Sequence, residues 1–159
     1  GSAHARSQVT VINIAPILEE PLENRVIDEG SLETFSIGVV DPGADEVTIC
    51  WDFGDALMCG PELVRVEYGW QEDGVHPVEL TLTDDDGGQT LYEIDVEVGN
   101  VAPSVVLEFP VEVEEGSVVS FMAQASDPGG DIAEYRWDFQ PGSSTGLSWI
   151  GDRTFRRTT

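Results

Sequence analysis

Asn13-Ile14-Ala15-Pro16, Glu29-Gly30-Ser31, Asp41-Pro42-Gly43 and Trp51-Asp52-Phe53 recur, in the same order, as Asn100-Val101-Ala102-Pro103, Glu115-Gly116-Ser117, Asp127-Pro128-Gly129 and Trp137-Asp138-Phe139. The offset is 87 residues at the Asn and 86 at each later landmark. A period of this size is too long for a solenoid and suits tandem domains, each with its own core. Residues 9–99 therefore read as one domain and residues 100–159 as a second. Residues 1–8 read as a tag remnant or an unordered lead. The second copy is expected to be incomplete, because 20 residues follow Phe139 where 46 separate Phe53 from Asn100.

The chain has 31 acidic residues against seven arginines and no lysine, a formal charge of −24. Most of the imbalance lies in the first copy, where residues 1–99 hold 22 acids and three arginines. Such a surface repels nucleic acid and anionic lipid headgroups, which makes both poor partners and leaves divalent cations or a basic partner as complements; no nucleic acid and no membrane insertion are expected. Solubility in high salt is the plainer account of the same charge. No apolar run reaches the roughly 18 residues of a membrane span.

Apolar and polar residues alternate with period two between Gly-, Pro- and Asp-rich turns. Strands are expected over 9–18, 32–40, 47–53, 63–68, 75–83 and 90–98. No sustained 3.6-residue period interrupts them. The pattern predicts an all-β fold of two tandem immunoglobulin-like β-sandwiches. Alternation puts Trp51 and Phe53 on the core face and Cys50 and Asp52 on the other. Trp137 and Phe139 repeat this arrangement, whereas the pattern does not fix the setting of Trp70 or Trp149.

The Asn-x-Ala-Pro opening, Glu-Gly-Ser, Asp-Pro-Gly and Trp51-Asp52-Phe53-Gly54-Asp55 together resemble the PKD family of immunoglobulin-like repeats. The stretch from Val78 to Gly88 resembles that family's penultimate strand and the acidic turn after it. The second copy departs at Gln140-Pro141, where Gly-Asp would stand. Bacterial PKD modules occur in tandem in secreted proteases, collagenases, chitinases and surface proteins. The resemblance thus implies a secreted or cell-surface location and a role in binding, spacing or adhesion, with neighbouring repeats or an extracellular protein or polysaccharide as partners.

Collagenase-type members bind calcium near the first-strand Asn and a loop Asp. Carried over by motif, that implicates Asn13 and Asp41 in the first copy and Asn100 and Asp127 in the second. Asp45, Asp84 and Asp131 join them by position. In a sandwich of this topology the Asn13 segment, the 41–45 loop and the 84–86 turn share one pole, and like charges gathered there favour a cation. Ca2+ takes six to eight oxygen ligands with tolerant geometry. The competing reading is that each Asp before Pro-Gly simply caps its own turn.

Cys50 and Cys59 are the only cysteines. Cys50 lies on the outward strand face, where Arg136 stands in the second copy, and Cys59 is placed in the adjoining loop. A local disulfide is expected, against the alternative of two free thiols. His76 has no nucleophile and orienting acid assembled with it, and the abundant carboxylates single out no catalytic pair, so no enzyme is expected. An incomplete second sandwich would leave an edge open to strand swapping.

Overall fold

The computed structural model describes residues 6–114, 116–137, 147–149 and 154–158, the last two segments by their backbone alone. It is all-β, and it divides into Gly1–Gly99 (unit 1) and Asn100–Thr159 (unit 2).

Unit 1 contains β1 (Ile17–Leu18), β2 (Arg25–Asp28), β3 (Glu33–Ser36), β4 (Val39–Val40), β5 (Thr48–Asp52), β6 (Leu57–Gly60), β7 (Arg65–Tyr68), β8 (Gly74–Thr83) and β9 (Gln89–Gly99). One layer is a five-stranded sheet in the order β2-β9-β8-β5-β6, antiparallel except for the parallel β2–β9 pair. The other is formed by the pairs β3–β7 and β1–β4. Between the layers lie Phe35, Ile49, Trp51, Phe53, Val66, Trp70, Val78, Leu80, Leu82, Ile94, Val96 and Val98. Period-two alternation produces this core directly: along β9 the inward Ile94, Val96 and Val98 are buried while Glu93, Asp95 and Glu97 face solvent. Trp51 is fully buried and its indole N–H donates to the Leu63 carbonyl at 2.9 Å, so its one polar atom is satisfied.

The expected strands 75–83 and 90–98 are present with one-residue extensions, as β8 and β9. Three expectations need correction. The strand expected over 9–18 survives only as Ile17–Leu18. The strand expected over 32–40 is two strands, because the chain leaves its pairing with β7 at Ser36 and joins β1 at Val39. The loop expected around Cys59 is strand β6, and β2 was absent from the alternation altogether.

Cys50 and Cys59 are bonded and lie directly opposite one another on β5 and β6, with Cα atoms 4.1 Å apart. The bridge pins the edge strand of the five-stranded sheet. Closing a loop of nine residues removes denatured-state entropy equivalent to about 2–3 kcal/mol. The double replacement Cys50→Ala with Cys59→Ala is therefore expected to lower the stability of unit 1 by about that amount, measured by denaturant unfolding. A change under about 0.5 kcal/mol would show that β6 is held without it.

Unit 2 contains β10 (Ser104–Glu108), β11 (Val118–Ser126), β12 (Leu147–Trp149) and β13 (Thr154–Thr158), in one antiparallel sheet of order β10-β11-β13-β12. Val119 and Ala123 are its buried apolar residues among those described. Trp137 is half-buried and lies outside any strand, so the core position seen at Trp51 is not reproduced there. Phe139 and the side chain of Trp149 lie outside the described residues.

Candidate metal centre

Three loops of unit 1 meet at one end of the sandwich: the segment around Asn13 before β1, the 41–45 loop after β4, and the 84–88 turn between β8 and β9. One carboxylate oxygen from each of Asp41, Asp45 and Asp84 lies within 4.8 Å of the others. Asp84 is buried, and Asp41 and Asp45 are half-buried. The other pole holds Asp28, Glu29, Asp55, Glu72 and Asp73, as loop segregation predicts.

Asp41 and Asp84 each serve their own loop with part of the carboxylate. Asp41 Oδ1 accepts the Gly43 N–H at 2.7 Å and the Asp45 N–H at 3.3 Å, and the Asp41 carbonyl accepts the Ala44 N–H at 3.1 Å. Asp84 Oδ1 accepts the Gly88 N–H at 2.6 Å. The Asn13 side-chain amide donates to both Asp84 oxygens, at 3.1 and 2.9 Å, and so ties the segment before β1 to the β8–β9 turn. Turn capping accounts for Asp41 Oδ1, but it leaves Asp41 Oδ2 solvent-inaccessible with no hydrogen-bond partner. An unsatisfied buried acceptor costs about 1–3 kcal/mol, more when it is charged. Burial, followed by the charges of Asp41, Asp85, Asp86 and Asp84, raises the Asp45 carboxyl above its ordinary value of 3.8.

The same loop recurs in unit 2. Asp127 Oδ1 accepts the Gly129 and Gly130 N–H groups at 3.0 and 3.1 Å, the Asp127 carbonyl accepts the Gly130 N–H at 3.3 Å, and Asp127 Oδ2 is again buried without a partner. Ala44 has a left-handed φ of 57°, and its counterpart Gly130 has 74°, so the two turns share a backbone shape. Asn100 and Asp131 are exposed, and among the described residues they join no triad like that of unit 1.

Two glycines that the motif reading passed over make room for the carboxylates of unit 1. A Cβ on Gly88 would meet Asp84 Oδ2, lie 2.8 Å from Asn13 Nδ2 and fall 2.9 Å from the Ala15 Cα. A Cβ on Gly43 would meet Asp45 Oδ2 and lie 3.1 Å from Asp41 Oδ1. Their signal was in the sequence, as the glycines of Asp-Pro-Gly and Asp-Gly-Gly. A cleft of about 600 Å3 lined by Asn13, Gly43, Asp45 and Asp86 opens this pole to solvent. The donor set is all oxygen, with one orphaned anionic atom and, at Gly88, a position where the Ala15 backbone leaves no room for a side chain. It fits a hard cation, with Asp41, Asp45 and Asp84 as the holding residues and Asn13 at the rim.

The opposite pole uses its acids differently. The Glu29 N–H donates to the Gly99 carbonyl at 3.0 Å and the Gly30 N–H to the Trp70 carbonyl at 2.8 Å. His76 Nε2 lies 3.0 Å from the Glu72 carbonyl, with its ring 5.2 Å from that of Trp70. The Tyr68 hydroxyl donates to Asp55 Oδ1 while its ring stacks on Phe53 at 4.1 Å. That hydrogen bond, with burial and the Asp55 charge, pushes the Tyr68 hydroxyl up from 10.0 to about 12. The neutral phenol is the stabilised form, so its contribution is complete below pH 10 and is lost as the pH rises through about 12. In ultraviolet titration, Asp55→Asn is expected to return one of the three tyrosines towards 10.0. An unchanged curve would show that the contact does not set the shift.

The PKD domain model matches residues 13–98 and again 100–157. The pre-pro-metalloprotease PrtV of Vibrio cholerae serotype O1 (strain M66-2) is 27% identical over 138 residues, covering 86% of this chain. The chain spans 14% of that protein's length. Among solved structures, the Bacteroides ovatus mixed-linkage glucan utilization protein SGBP-B has a TM-score of 0.45 at 13% identity, covering 93% of this chain and 40% of its own. A chimeric titin Z1Z2 has a TM-score of 0.39 at 19% identity, covering 92% and 82% respectively. These two likenesses concern the fold. With both copies of the repeat matched over nearly their whole length, the chain belongs to the PKD domain family.

Proposed function

We propose that this chain is a non-enzymatic, calcium-binding pair of PKD modules within a larger secreted or cell-surface bacterial protein, acting in spacing or adhesion. The observation that carries the reading is the duplicated loop, in which Asp41 and Asp127 each cap a turn with one oxygen and leave the other buried and unpartnered. A turn needs only the first oxygen, and a cation supplies a partner for the second. In unit 1, Asp45 and Asp84 complete the donor set, and bound calcium offsets the repulsion among them. Joining three loops through one ion stiffens the pole from which the Asn13 segment leaves the sandwich. The Cys50–Cys59 disulfide supports an oxidising location outside the cytosol. Calcium binding to the full chain, with magnesium as control, tests the reading, and absence of binding at millimolar calcium would contradict it.

A second reading is favoured by the similarity to a pre-pro-metalloprotease: a substrate- or polymer-engaging accessory module of a secreted hydrolase. The aromatics of unit 1 weigh against it. Trp70 is buried at 5% exposure, and Tyr68 is half-buried against Phe53, so neither offers an open stacking platform.

A further inference from the structure

The segment Val9-Thr10-Val11-Ile12 has the alternation and β-branched content of a strand, yet among the described residues it pairs with no strand, and the first strand of unit 1 begins at Ile17. Val9, Val11 and Ile12 are 84%, 91% and 80% exposed. Aligning Asn13 with Asn100 sets Val9 on Val96, Thr10 on Glu97, Val11 on Val98 and Ile12 on Gly99. In unit 1, Val96 and Val98 are 0% and 3% exposed and face the core, while Glu97 faces solvent. These counterparts close the last strand of the unit that comes before the Asn-x-Ala-Pro motif. The two family matches divide the chain at the same place: they start at Asn13 and Asn100, so 9–12 falls outside the unit that follows it, as 96–98 does.

We propose that residues 9–12 are the end of the last strand of another β-sandwich unit of this repeat, and that they dock into that unit's sheet rather than into unit 1. The occupant they require is set by β9. Val96 and Val98 lie opposite His76 and Gly74 on antiparallel β8, and opposite Arg25 and Ile27 on parallel β2. The partner therefore presents a slot between a β8-type and a β2-type strand, with two inward pockets for Val9 and Val11 and an outward position for Thr10. Ile12 in place of Gly99 is accommodated, since the nearest atoms to a Cβ there are the Ile27 carbonyl at 3.7 Å and Asp28 Oδ1 at 3.8 Å. Main-chain pairing supplies the attachment, and the alternate valines supply register. This inference stands apart from the calcium reading.

The experiment uses the full chain and an array in which a copy of residues 13–95 is joined directly to Val9, so that 9–12 occupy positions 96–99 of the copy. Val11 and Ile12 line the acidic cleft beside Asp45 and Asp86, so the substitutions are uncharged: in the chain alone, Val9→Asn with Val11→Asn is expected to leave the unfolding midpoint within 1 °C, and the amides of 10–12 to exchange without protection. In the array, those amides become at least 100-fold slower to exchange, and the added unit unfolds cooperatively. The same double substitution abolishes that transition while sparing unit 1. A control array keeps residues 96–99 in the copy. The proposal is overturned if the substitutions lower the midpoint of the chain alone, or if 10–12 stay unprotected in the array. Failure of the added unit to fold while the control array folds overturns it equally, because 9–12 would then not replace the strand end that 96–99 supply.

Discussion

Trp51→Ala is expected to destabilise unit 1 by about 3–5 kcal/mol, the range for removing a large aromatic from a core. Small domains have a total stability of about 5–15 kcal/mol, so this single change brings the unit near its unfolding threshold. Three contributions combine. The indole has no exposed surface, and it packs on Phe35 and Phe53 with ring centroids 5.7 and 6.1 Å away. Its neighbours on either side, Leu80 and Met58, belong to β8 and β6 and cannot collapse into the cavity without breaking the ladder. Its N–H also serves the Leu63 carbonyl, which is left without that donor. Trp51→Phe retains most of the apolar volume, and about 1–2 kcal/mol of loss is expected from the missing hydrogen bond and the smaller ring. Trp137→Ala is expected to cost less than Trp51→Ala, because Trp137 is only half-buried. Denaturant unfolding followed by fluorescence and by circular dichroism measures all three, and equal losses at Trp51 and Trp137 would contradict the core assignment.

Calcium is expected to raise the unfolding midpoint of unit 1 steeply. At a hundredfold excess over its dissociation constant, a ligand that binds only the folded state adds about 2.7 kcal/mol. For a domain of this size that amounts to roughly ten degrees or more. Magnesium should do much less, because it demands near-ideal octahedral geometry and dehydrates reluctantly. Asp41→Asn is the informative variant. The amide oxygen continues to accept the Gly43 N–H, while the orphaned position loses its charge. Without calcium the variant is expected to be as stable as the wild type or more so, since one of the charges acting on Asp45 is gone. With calcium its midpoint should hardly move. Gly88→Ala provides a steric counterpart, because its methyl group would meet Asp84 and Asn13 and push the donor set apart. A structural role alone would make Asp41→Asn lower the midpoint equally with and without calcium.

Much of this was legible in the sequence, and the exceptions have physical causes. The repeat located both units, and alternation assigned the faces of β5 and located β8 and β9, because each is buried on one side only. Strand β2 was missed because Arg25-Val26-Ile27-Asp28 has only four residues and leaves Val26 outward at 77% exposure, so no alternation marks it. Strand β6 was missed because its inward residues are Met58 and Gly60, and its order comes from the disulfide and the hairpin with β5. The strand expected over 9–18 was drawn too long because residues 9–12 carry the period of a strand without forming one in unit 1. The convergence of Asn13, Asp41, Asp45 and Asp84 was readable from loop order alone. The two-oxygen division of labour at Asp41 and Asp127 was not, since a turn-capping Asp and a ligand Asp have the same sequence.

Calorimetric titration of the full chain with calcium, beside the Asp41→Asn variant, tests the central claim most directly. A saturable calcium isotherm that loses its unit 1 site in the variant, with little heat from magnesium, is the predicted result. No heat at millimolar calcium, or the same isotherm from both proteins, would contradict it.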